Sequence, residues 1–341
     1  MTTPLLLVLA SLQSAVTLAP DSGEKHLTNI RQLTFGGQNA EAYFSRSGRQ
    51  LIFQHTPADS GCDQEYLINV DGTGLRRISS GRGRTTCGYF LDNDRRILYA
   101  TTEHRGAACP PRPDYSRGYV WALYDYDIVV ADTGGRILRR LTDNPGYDAE
   151  GTLSPDGRTI VFTSHRDGDL DIYTMRADGS GLRRLTHRLG YEGGPFFSPD
   201  GKRIVYRARY PATPDDSADY RGLLAQGRVR PARMEIWVMN ADGTEQRQVT
   251  NLGGDNFAPY VHPDGRRIVF ASNHHKPGSR EFDLYLVNFD GTGLARVTTN
   301  VEFDAFPMFS PDGTKLVWAS NRNGRVEGET NIFIADWVER P

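Results

Sequence analysis

Residues 154–186 read SPDGRTIVFTSHRDGDLDIYTMRADGSGLRRLT, and this stretch is one whole unit of a pattern that fills the chain. A Ser-Pro-Asp-Gly turn precedes a run of β-branched and aromatic residues, a second run ends in Ala-Asp-Gly, and Arg-Arg-Leu-Thr closes the unit. Asp-Gly turns between alternating apolar runs are β-hairpin signals, because Gly accepts the positive φ that these turns need. Each unit therefore predicts four antiparallel strands, a to d, with strand a before the Pro-Asp-Gly turn and strand d at Arg-Leu-Thr.

The strand-d element recurs around the chain and sets the number of units. Its six copies begin at Arg31, Arg76, Arg139, Arg183, Arg247 and Ala295. A four-stranded sheet cannot bury both faces alone, and radial stacking of such sheets makes a β-propeller. We therefore predict an all-β, six-bladed β-propeller. The first strand d, at residues 31–35, has no unit before it, and the last strand c, at residues 331–335, has no strand d after it, so we expect the N-terminal strand to close the last blade.

These motifs resemble the repeats of TolB-type propellers, the bacterial relatives of WD-repeat proteins. The resemblance covers residues 26–338 and rests on Arg-Leu-Thr, Ser-Pro-Asp-Gly and the Ile-Tyr-x-Met-x-x-Asp-Gly pattern at residues 172–179. Such repeats occur in periplasmic Tol-Pal components, in propeller domains of peptidases and in many secreted proteins. The resemblance thus implies the fold. We expect no room here for the helical domain that precedes the TolB propeller. The resemblance therefore does not imply the Tol-Pal role.

Charge and the N-terminal segment bear on where the protein works. The formal charge is −2 with both signs interspersed, which gives no electrostatic reason to expect a nucleic-acid partner. Residues 1–19 contain no charged side chain and carry an apolar run at residues 4–10, which predicts an export signal that ends after Ala15 or Ala19. A disordered tail and a retained membrane anchor are the alternatives. We expect an exported protein, periplasmic or extracellular, whose residues 20–341 form one propeller domain.

The three cysteines are Cys62, Cys87 and Cys109. Their spacing is not that of a zinc or redox site. Cys87 and Cys109 both fall in or beside the second blade, so these two could pair in an oxidising compartment, which would leave one thiol over. The sequence does not decide the pairing among the three.

Two long loops distinguish one face of the predicted disc. The a–b and c–d turns share one face, which is plain and repetitive, and the b–c and d–a loops share the other. Leu33 and Ile78 are 45 residues apart, whereas Ile78 and Leu141 are 63 apart, and the surplus falls in b–c loops at residues 102–126 and 209–234. Long loops on a rigid scaffold often carry recognition, and aromatic residues and Arg are enriched in interface hot spots. We predict a surface for a protein or peptide partner that includes Arg112, Tyr119, Trp121, Tyr124, Tyr210, Tyr220, Arg228 and Arg230. The alternative is that these aromatics fold back over the blades.

The d–a loops predict a ring of side chains at the channel mouth. One aligned position reads Asn39, Thr85, Asp148, Glu192, Asn256 and Asp304, and the position two residues later reads Glu41, Cys87, Glu150, Gly194, Ala258 and Phe306. Asp148, Glu150, Glu192 and Asp304 are candidate ligands for a calcium ion, which prefers oxygen ligands, or can attract a cationic segment of a partner. The alternative is that they cap neighbouring loop backbone. We expect no other cofactor.

The sequence predicts a non-enzymatic scaffold of the cell envelope, or a peripheral subunit of a membrane-associated assembly. It contains no Gly-x-Ser-x-Gly elbow, no phosphate-binding Gly-rich loop with Lys and no His-Glu-x-x-His motif, and we predict no catalytic residue. The alternative is a metal- or His-dependent carbohydrate lyase or hydrolase with its site at the channel mouth. Its candidate histidines are His55, His104, His165, His274 and His275.

Overall fold

Six antiparallel sheets follow one another along the chain in a computed structural model, which describes residues 15–58, 61–116 and 118–339. Most of the predicted export signal, residues 1–14, lies outside the described residues. Strands a to d of blade 1 are Gln38–Phe44, Gln50–Thr56, Gln64–Asn69 and Arg76–Arg77. Those of blade 2 are Thr85–Leu91, Arg96–Thr101, Asp127–Asp132 and Ile137–Arg140. Those of blade 3 are Asp148–Leu153, Thr159–Ser164, Asp171–Arg176 and Arg183–Arg184. Strands a to d of blade 4 are Tyr191–Phe197, Arg203–Arg209, Glu235–Asn240 and Arg247–Gln248. Those of blade 5 are Asn256–Val261, Arg267–Ser272, Asp283–Asn288 and Ala295–Arg296. Those of blade 6 are Asp304–Phe309, Lys315–Ser320, Asn331–Trp337 and the N-terminal Leu27–Gln32. The predicted six-bladed propeller is confirmed.

The N-terminal strand closes the ring, as predicted, but it begins earlier than residue 31. Leu27–Gln32 pairs antiparallel with Asn331–Trp337, and the register shifts between Thr28 and Arg31. This irregularity lets the strand continue toward the N-terminus beyond the Arg-Gln-Leu-Thr motif. Val16–Leu18 pairs with its outer edge as a fifth strand. A cut after Ala15 would preserve that fifth strand, and a cut after Ala19 would remove it.

The Thr of each Arg-Leu-Thr element explains why the motif recurs. In blades 1 to 5 strand d has only two to four residues, and just past its end the Thr hydroxyl accepts the hydrogen bond from the amide of strand c. Ile128 N, for example, lies 2.9 Å from Thr142 Oγ1. The same bond, with Ser79 in place of Thr in blade 1, joins Ile172 to Thr186, Ile236 to Thr250, Leu284 to Thr298, Ile332 to Thr34 and Glu65 to Ser79. The hydroxyl thus keeps a buried amide bonded where the backbone ladder stops.

One aromatic side chain per blade anchors the packing between sheets. At the middle of strand b each blade buries a large ring, with at most 1% of its surface exposed: Phe53, Tyr99, Phe162, Tyr206, Phe270 and Trp318. Burying such a side chain contributes about 2–3 kcal/mol. These rings explain why strand b has the most apolar sequence of each unit.

The loops contain one α-helix, Pro214–Leu224, and a short 3-10 turn, Glu103–Arg105, within the part of the chain that the structure describes. Neither is a long apolar helix of the kind that crosses a membrane.

Candidate functional site at the channel mouth

The two insertions emerge on the same face and pair with each other. Trp121–Ala122 forms a two-stranded antiparallel sheet with Arg228–Val229, in which Trp121 is opposite Val229. The amide of Leu123 extends this pairing by donating to Gly227 O at 2.7 Å. Loops of blades 2 and 4 therefore form one platform over the channel mouth. The sequence places both loops on one face but does not reveal their pairing, because two-residue strands have no detectable period.

A disulfide holds the first insertion, and it is not the Cys87–Cys109 pair that the sequence suggested as possible. Cys109 is bonded to Cys62, with the two Cα atoms 5.6 Å apart, and Cys87 is a buried free thiol. Cys62 and Cys109 belong to the b–c loops of blades 1 and 2, and equivalent loops of adjacent blades lie side by side. Cys87 is instead on strand a, where its side chain faces the channel mouth.

The second insertion is a small packed unit. Its helix starts at the cap Thr213, whose hydroxyl accepts from Asp216 N at 3.1 Å, and Pro214 occupies the first helical position. Tyr220 and Leu224 are buried, and the Tyr220 hydroxyl donates to Asp169 Oδ1 at 2.5 Å. The helix is thus tied to the b–c loop of blade 3, which makes the platform rigid.

The predicted partner-binding residues divide into exposed and covered groups. Tyr119 is 60% exposed, and Arg112 is also exposed on the platform. Trp121, Tyr124, Tyr210, Arg228 and Arg230 are half-buried. Tyr220 is 2% exposed, so it packs the insertion and offers no surface to a partner. The insertions therefore combine the two arrangements that the sequence allows. Some of their aromatic side chains cover the blades, and Tyr119 is exposed to solvent.

A β-bulge in every strand a shapes the channel mouth. The residues at this bulge have φ between 51° and 58°: Glu41, Cys87, Glu150, Gly194, Ala258 and Phe306. The strand register shifts in each blade there, for example between Ala40 and Tyr43. The left-handed conformation costs an L-residue roughly 1–2 kcal/mol, so five of these six positions hold strained backbone. The aligned ring that the sequence predicts is thus a ring of bulges.

Below the platform lies a cavity of about 840 Å³, here called the chamber. Glu41, Cys87, Glu150 and Phe306 from the bulge ring line it. The insertions and neighbouring blades add aromatic walls: Tyr115, Tyr119, Trp121, Tyr124, Tyr126, Tyr147, Tyr191 and Phe303. The chamber reaches the surface beside the exposed residues Tyr119 and Arg280.

The channel is blocked below the chamber by aromatic rings. Four of the six blades have an aromatic residue two positions after the bulge, and these rings meet across the axis with neighbouring centroids 5.4–6.3 Å apart: Tyr43, Tyr89, Phe196 and Tyr260. On the far side of this plug a second opening of about 600 Å³ is lined by the prolines of the Pro-Asp-Gly turns. The chamber is therefore a dead-end pocket that opens on the long-loop face.

A buried ion pair forms one wall of the chamber. Arg207 on strand b of blade 4 pairs with Glu150 of blade 3, and the side chains are 8% and 11% exposed. Glu150 also accepts from Thr163 Oγ1 at 2.7 Å and Gly194 N at 2.8 Å. Arg207 donates to Tyr191 Oη and lies 5.1 Å from the ring centre of Trp121, so the platform rests on this pair.

Sequence reasoning missed Arg207 as a site residue. The available signal was its position in the buried run Ile204-Val205-Tyr206-Arg207-Ala208, where the other blades have small or uncharged residues such as Thr163. A charge at a buried strand position requires a partner, and that requirement points to Glu150.

The four predicted calcium ligands each have donors of their own. Asp148 accepts from Arg166 at 2.9 and 3.0 Å, and Asp304 accepts from Trp318 and Arg322 at 3.1 and 2.7 Å. Glu192 accepts from the Tyr210 hydroxyl at 2.6 Å, and Glu150 pairs with Arg207. This arrangement favours the structural interpretation of these carboxylates, and the calcium ion stays a prediction.

The predicted histidines are spread over four blades. His55 Nδ1 is 2.8 Å from Asn39 Oδ1, His104 Nδ1 is 2.9 Å from Asp127 Oδ2, and His274 Nδ1 is 3.0 Å from Ser272 Oγ. Burial lowers the pKa of His55, of His165 in the blade 3 loop and of His274. They therefore do not form a common cluster.

Two of these histidines lie among carboxylates: His104 is 3.7 Å from Asp125 and 2.9 Å from Asp127, and His275 has two acidic neighbours as well. In the described ranges, potential ligand atoms of His275, Glu281 and Asp283 all lie within 4.8 Å of one another. Arg296 already pairs with Asp283, and Lys276 Nζ lies 2.7 Å from Glu281. Because cations neutralise both carboxylates, the group is best described as an ion-pair network.

Comparison with known proteins agrees with this architecture. A family model described as the TolB beta propeller domain matches residues 121–214 and 212–335. Over 45 residues the chain is 49% identical to the Tol-Pal system protein TolB of Bordetella pertussis, a match that covers 13% of this chain and 10% of that protein. The crystal structure of TolB from Acinetobacter baumannii superposes with a TM-score of 0.57 at 18% identity, over 92% of this chain and 66% of that one. An oligogalacturonate lyase in complex with manganese gives 0.54 at 17% identity, over 96% of each chain. At these identities the two structures share the fold alone with this chain.

Proposed function

Because the chain belongs to the family of TolB β-propeller domains, we propose that it is an exported scaffold of the cell envelope that binds a protein or peptide partner on its long-loop face. The partner is either free or part of a membrane-associated assembly in which this protein is a peripheral subunit. The name of the Bordetella relative, a Tol-Pal system protein, supports an envelope role, although the match spans only a tenth of that relative.

The observation that carries the proposal is the rigid platform with exposed aromatic rings. Tyr115 and Tyr119 are 47% and 60% exposed and stack with ring centroids 5.8 Å apart. The insertion that bears them is fixed by the Cys62–Cys109 bond and by its pairing with the second insertion. Rigid aromatic residues are preferred anchors of protein interfaces, since little conformational entropy is lost on binding.

The disulfide supports export. Disulfides persist in oxidising compartments such as the bacterial periplasm and are rare in the cytosol. Cys62 and Cys109 connect two loops on the functional face, so the oxidised state and the platform geometry go together. This agrees with the apolar segment at residues 1–19.

A paired pull-down tests the proposal. Tyr115→Ser with Tyr119→Ser changes the long-loop face, and Leu182→Ser with Leu294→Ser, at 45% and 40% exposure, changes the plain face to a similar extent. Both variants and the wild type are used as bait in envelope extract, with mass spectrometry of the captured proteins. We expect the Tyr variant to lose the partner that the Leu variant retains. Equal capture by both, or loss only with the Leu variant, would refute the placement of the surface.

The second candidate, a metal- or His-dependent carbohydrate lyase or hydrolase, is favoured only by the group at His275. Metal analysis of the purified protein and turnover of a glycan panel, before and after His275→Ala, separate the two functions. A scaffold keeps its partner and shows no turnover. A metal lost together with turnover would favour the enzyme.

A further inference from the structure

The chamber contains one half-buried carboxyl group, that of Glu41, without an ion-pair partner among the described residues. Of its acidic residues, Glu150 pairs with Arg207 and Asp63 pairs with Arg84. Glu41 has no ion pair among the described residues, and its hydrogen bond to the Tyr43 hydroxyl is long, at 3.4 Å. The remaining arginines of the lining, Arg112 and Arg280, are exposed at the rim, where solvent screens them. An ionised Glu41 therefore leaves the interior of the chamber with a net negative charge.

The walls already accommodate cations against aromatic rings. The guanidinium of Arg207 lies 5.1 Å and 5.5 Å from the ring centres of Trp121 and Tyr191, and that of Arg84 lies 5.1 Å from Tyr124. Tyr126 and Tyr147 form a further edge-to-face pair, at 5.9 Å, in the same wall. Rings arranged in this way attract ammonium groups through their quadrupoles, most strongly where water is excluded.

The opposite wall is apolar. Phe306 from the bulge ring and Phe303 line the chamber and pack around Phe257, with centroids 5.5 and 6.4 Å from it. Strand a of blade 6, which carries Phe306, packs against strand a of blade 1, which carries Glu41. A ligand that reaches Glu41 therefore has an apolar surface available on the neighbouring blade. The plug below and the volume of about 840 Å³ favour a small molecule over a threaded chain.

We propose that the chamber binds a small organic cation, an ammonium ion bearing an apolar or aromatic group, with Glu41 as its counter-ion. The ammonium group lies against Glu41 and the tyrosine wall, and the apolar group lies against Phe303 and Phe306. The site lies beneath the platform, and Tyr115 and Tyr119 contribute to both. Binding of the small cation is measured on the purified protein and does not require a protein partner. The strained backbone at Glu41, with φ of 53°, fixes the carboxyl group at the mouth of the channel.

The affinity of the chamber for the cation should depend on pH. Burial raises the pKa of Glu41, and the groups that face it are Cys87, Tyr43, Glu150, Arg207 and Glu65. The nearby Glu150 opposes ionisation of Glu41 and Arg207 favours it. Binding of a cation requires the ionised form, so affinity rises as the pH increases through the raised pKa of Glu41 and the complex releases a proton.

The test uses benzylammonium and the neutral benzyl alcohol, which are similar in size, with isothermal titration calorimetry. We expect the wild-type protein to bind benzylammonium at least tenfold more tightly than benzyl alcohol. Glu41→Gln is expected to lose at least tenfold in benzylammonium affinity with no change for the alcohol. Glu302→Gln, an exposed glutamate outside the chamber, is the matched control and keeps wild-type affinity.

Three results would overturn the proposal: equal affinity for the two probes, no detectable benzylammonium binding at millimolar concentration, or wild-type affinity in Glu41→Gln. The variant keeps the size of the side chain and removes a half-buried ionisable group, so its fold is expected to persist; far-ultraviolet circular dichroism checks this. If the variant does not fold, the wild-type pH profile decides, and an affinity that is flat with pH contradicts the role of Glu41.

Discussion

The two mouths of the channel lie at opposite ends of the same strands, but different kinds of contact hold them together. On the plain face the repeated Ser-Pro-Asp-Gly turns are closed by their own side chains: Ser154 Oγ donates to Asp156 Oδ1 at 2.6 Å and accepts from Thr159 N at 3.0 Å. The contacts between blades on this face include single hydrogen bonds, such as that from Arg183 Nη2 to Asp242 O at 2.8 Å. On the long-loop face the contacts cross between blades, as in the Glu150–Arg207 pair and the Cys62–Cys109 bond. The repeat thus maintains the scaffold, and departures from it create the site. A change on the long-loop face should therefore cost more than its equivalent on the plain face.

The largest difference between the faces is expected in the stability that is lost when a glycine on each face is replaced by alanine. In Gly194→Ala the new Cβ would lie 2.1 Å from Arg207 Nη1, at φ of 57°, and would break the Glu150–Arg207 pair. Disrupting a buried pair costs about 3–5 kcal/mol. Gly157→Ala, in a plain turn with φ of 74° and nothing within 4 Å of the new Cβ, should cost about 1 kcal/mol. Urea denaturation measures both, and equal losses would remove the asymmetry between the faces.

The disulfide should have the next largest effect. Cys62→Ser with Cys109→Ser opens a bond that spans 47 residues, and we expect a loss of about 2–4 kcal/mol in the free energy of unfolding. Thermal unfolding with and without reductant provides the measurement. Reductant should destabilise the wild type and leave the double variant unchanged, and Cys87→Ser should keep the sensitivity to reductant. A wild type insensitive to reductant would contradict the Cys62–Cys109 bond.

One carboxyl group on each face should make the free energy of unfolding depend on pH, and the two dependences should have opposite signs. Burial raises the pKa of Glu192 at the long-loop mouth to about 8, so stability present below pH 4.5 is lost as the pH rises through about 8. The hydrogen bond from Ser198 lowers the pKa of Asp200 in a plain turn, so its contribution is lost as the pH falls. Glu192→Gln should remove a decrease on the order of 2 kcal/mol between pH 5 and 8. Urea midpoints across that range test this, and parallel curves for variant and wild type would contradict it.

The smallest effect is expected for a single plain turn. Ser198→Ala removes the bond to Asp200 at 2.6 Å and the bond from Arg203 N at 3.0 Å, which should cost about 1 kcal/mol. Because the turn is local, partner capture and chamber properties should not change. A loss well above this value, seen by urea denaturation, would show that the Ser198 turn also stabilises contacts between blades.

The fold was predictable because its determinants are local and repeated. Ser-Pro-Asp-Gly and Arg-Leu-Thr specify turns and strand ends within one blade, and the six copies of the Arg-Leu-Thr element specify the ring and its closure. Cross-blade contacts lack such a signal. The sequence gives no indication that Cys109 meets Cys62 or that Trp121 pairs opposite Val229, since both depend on how adjacent loops lie in space. The alignment did identify the bulge ring at Glu41 and Glu150, although not its left-handed backbone.

Site-specific photocrosslinking in the envelope tests most directly whether the long-loop face is the functional one. A photoreactive amino acid replaces Tyr119 on the platform or, in a matched variant, Leu182 on the plain face, which are 60% and 45% exposed. We predict a discrete protein adduct at position 119 after irradiation and none at position 182. An adduct at position 182 alone, or the same adduct at both positions, would contradict this assignment.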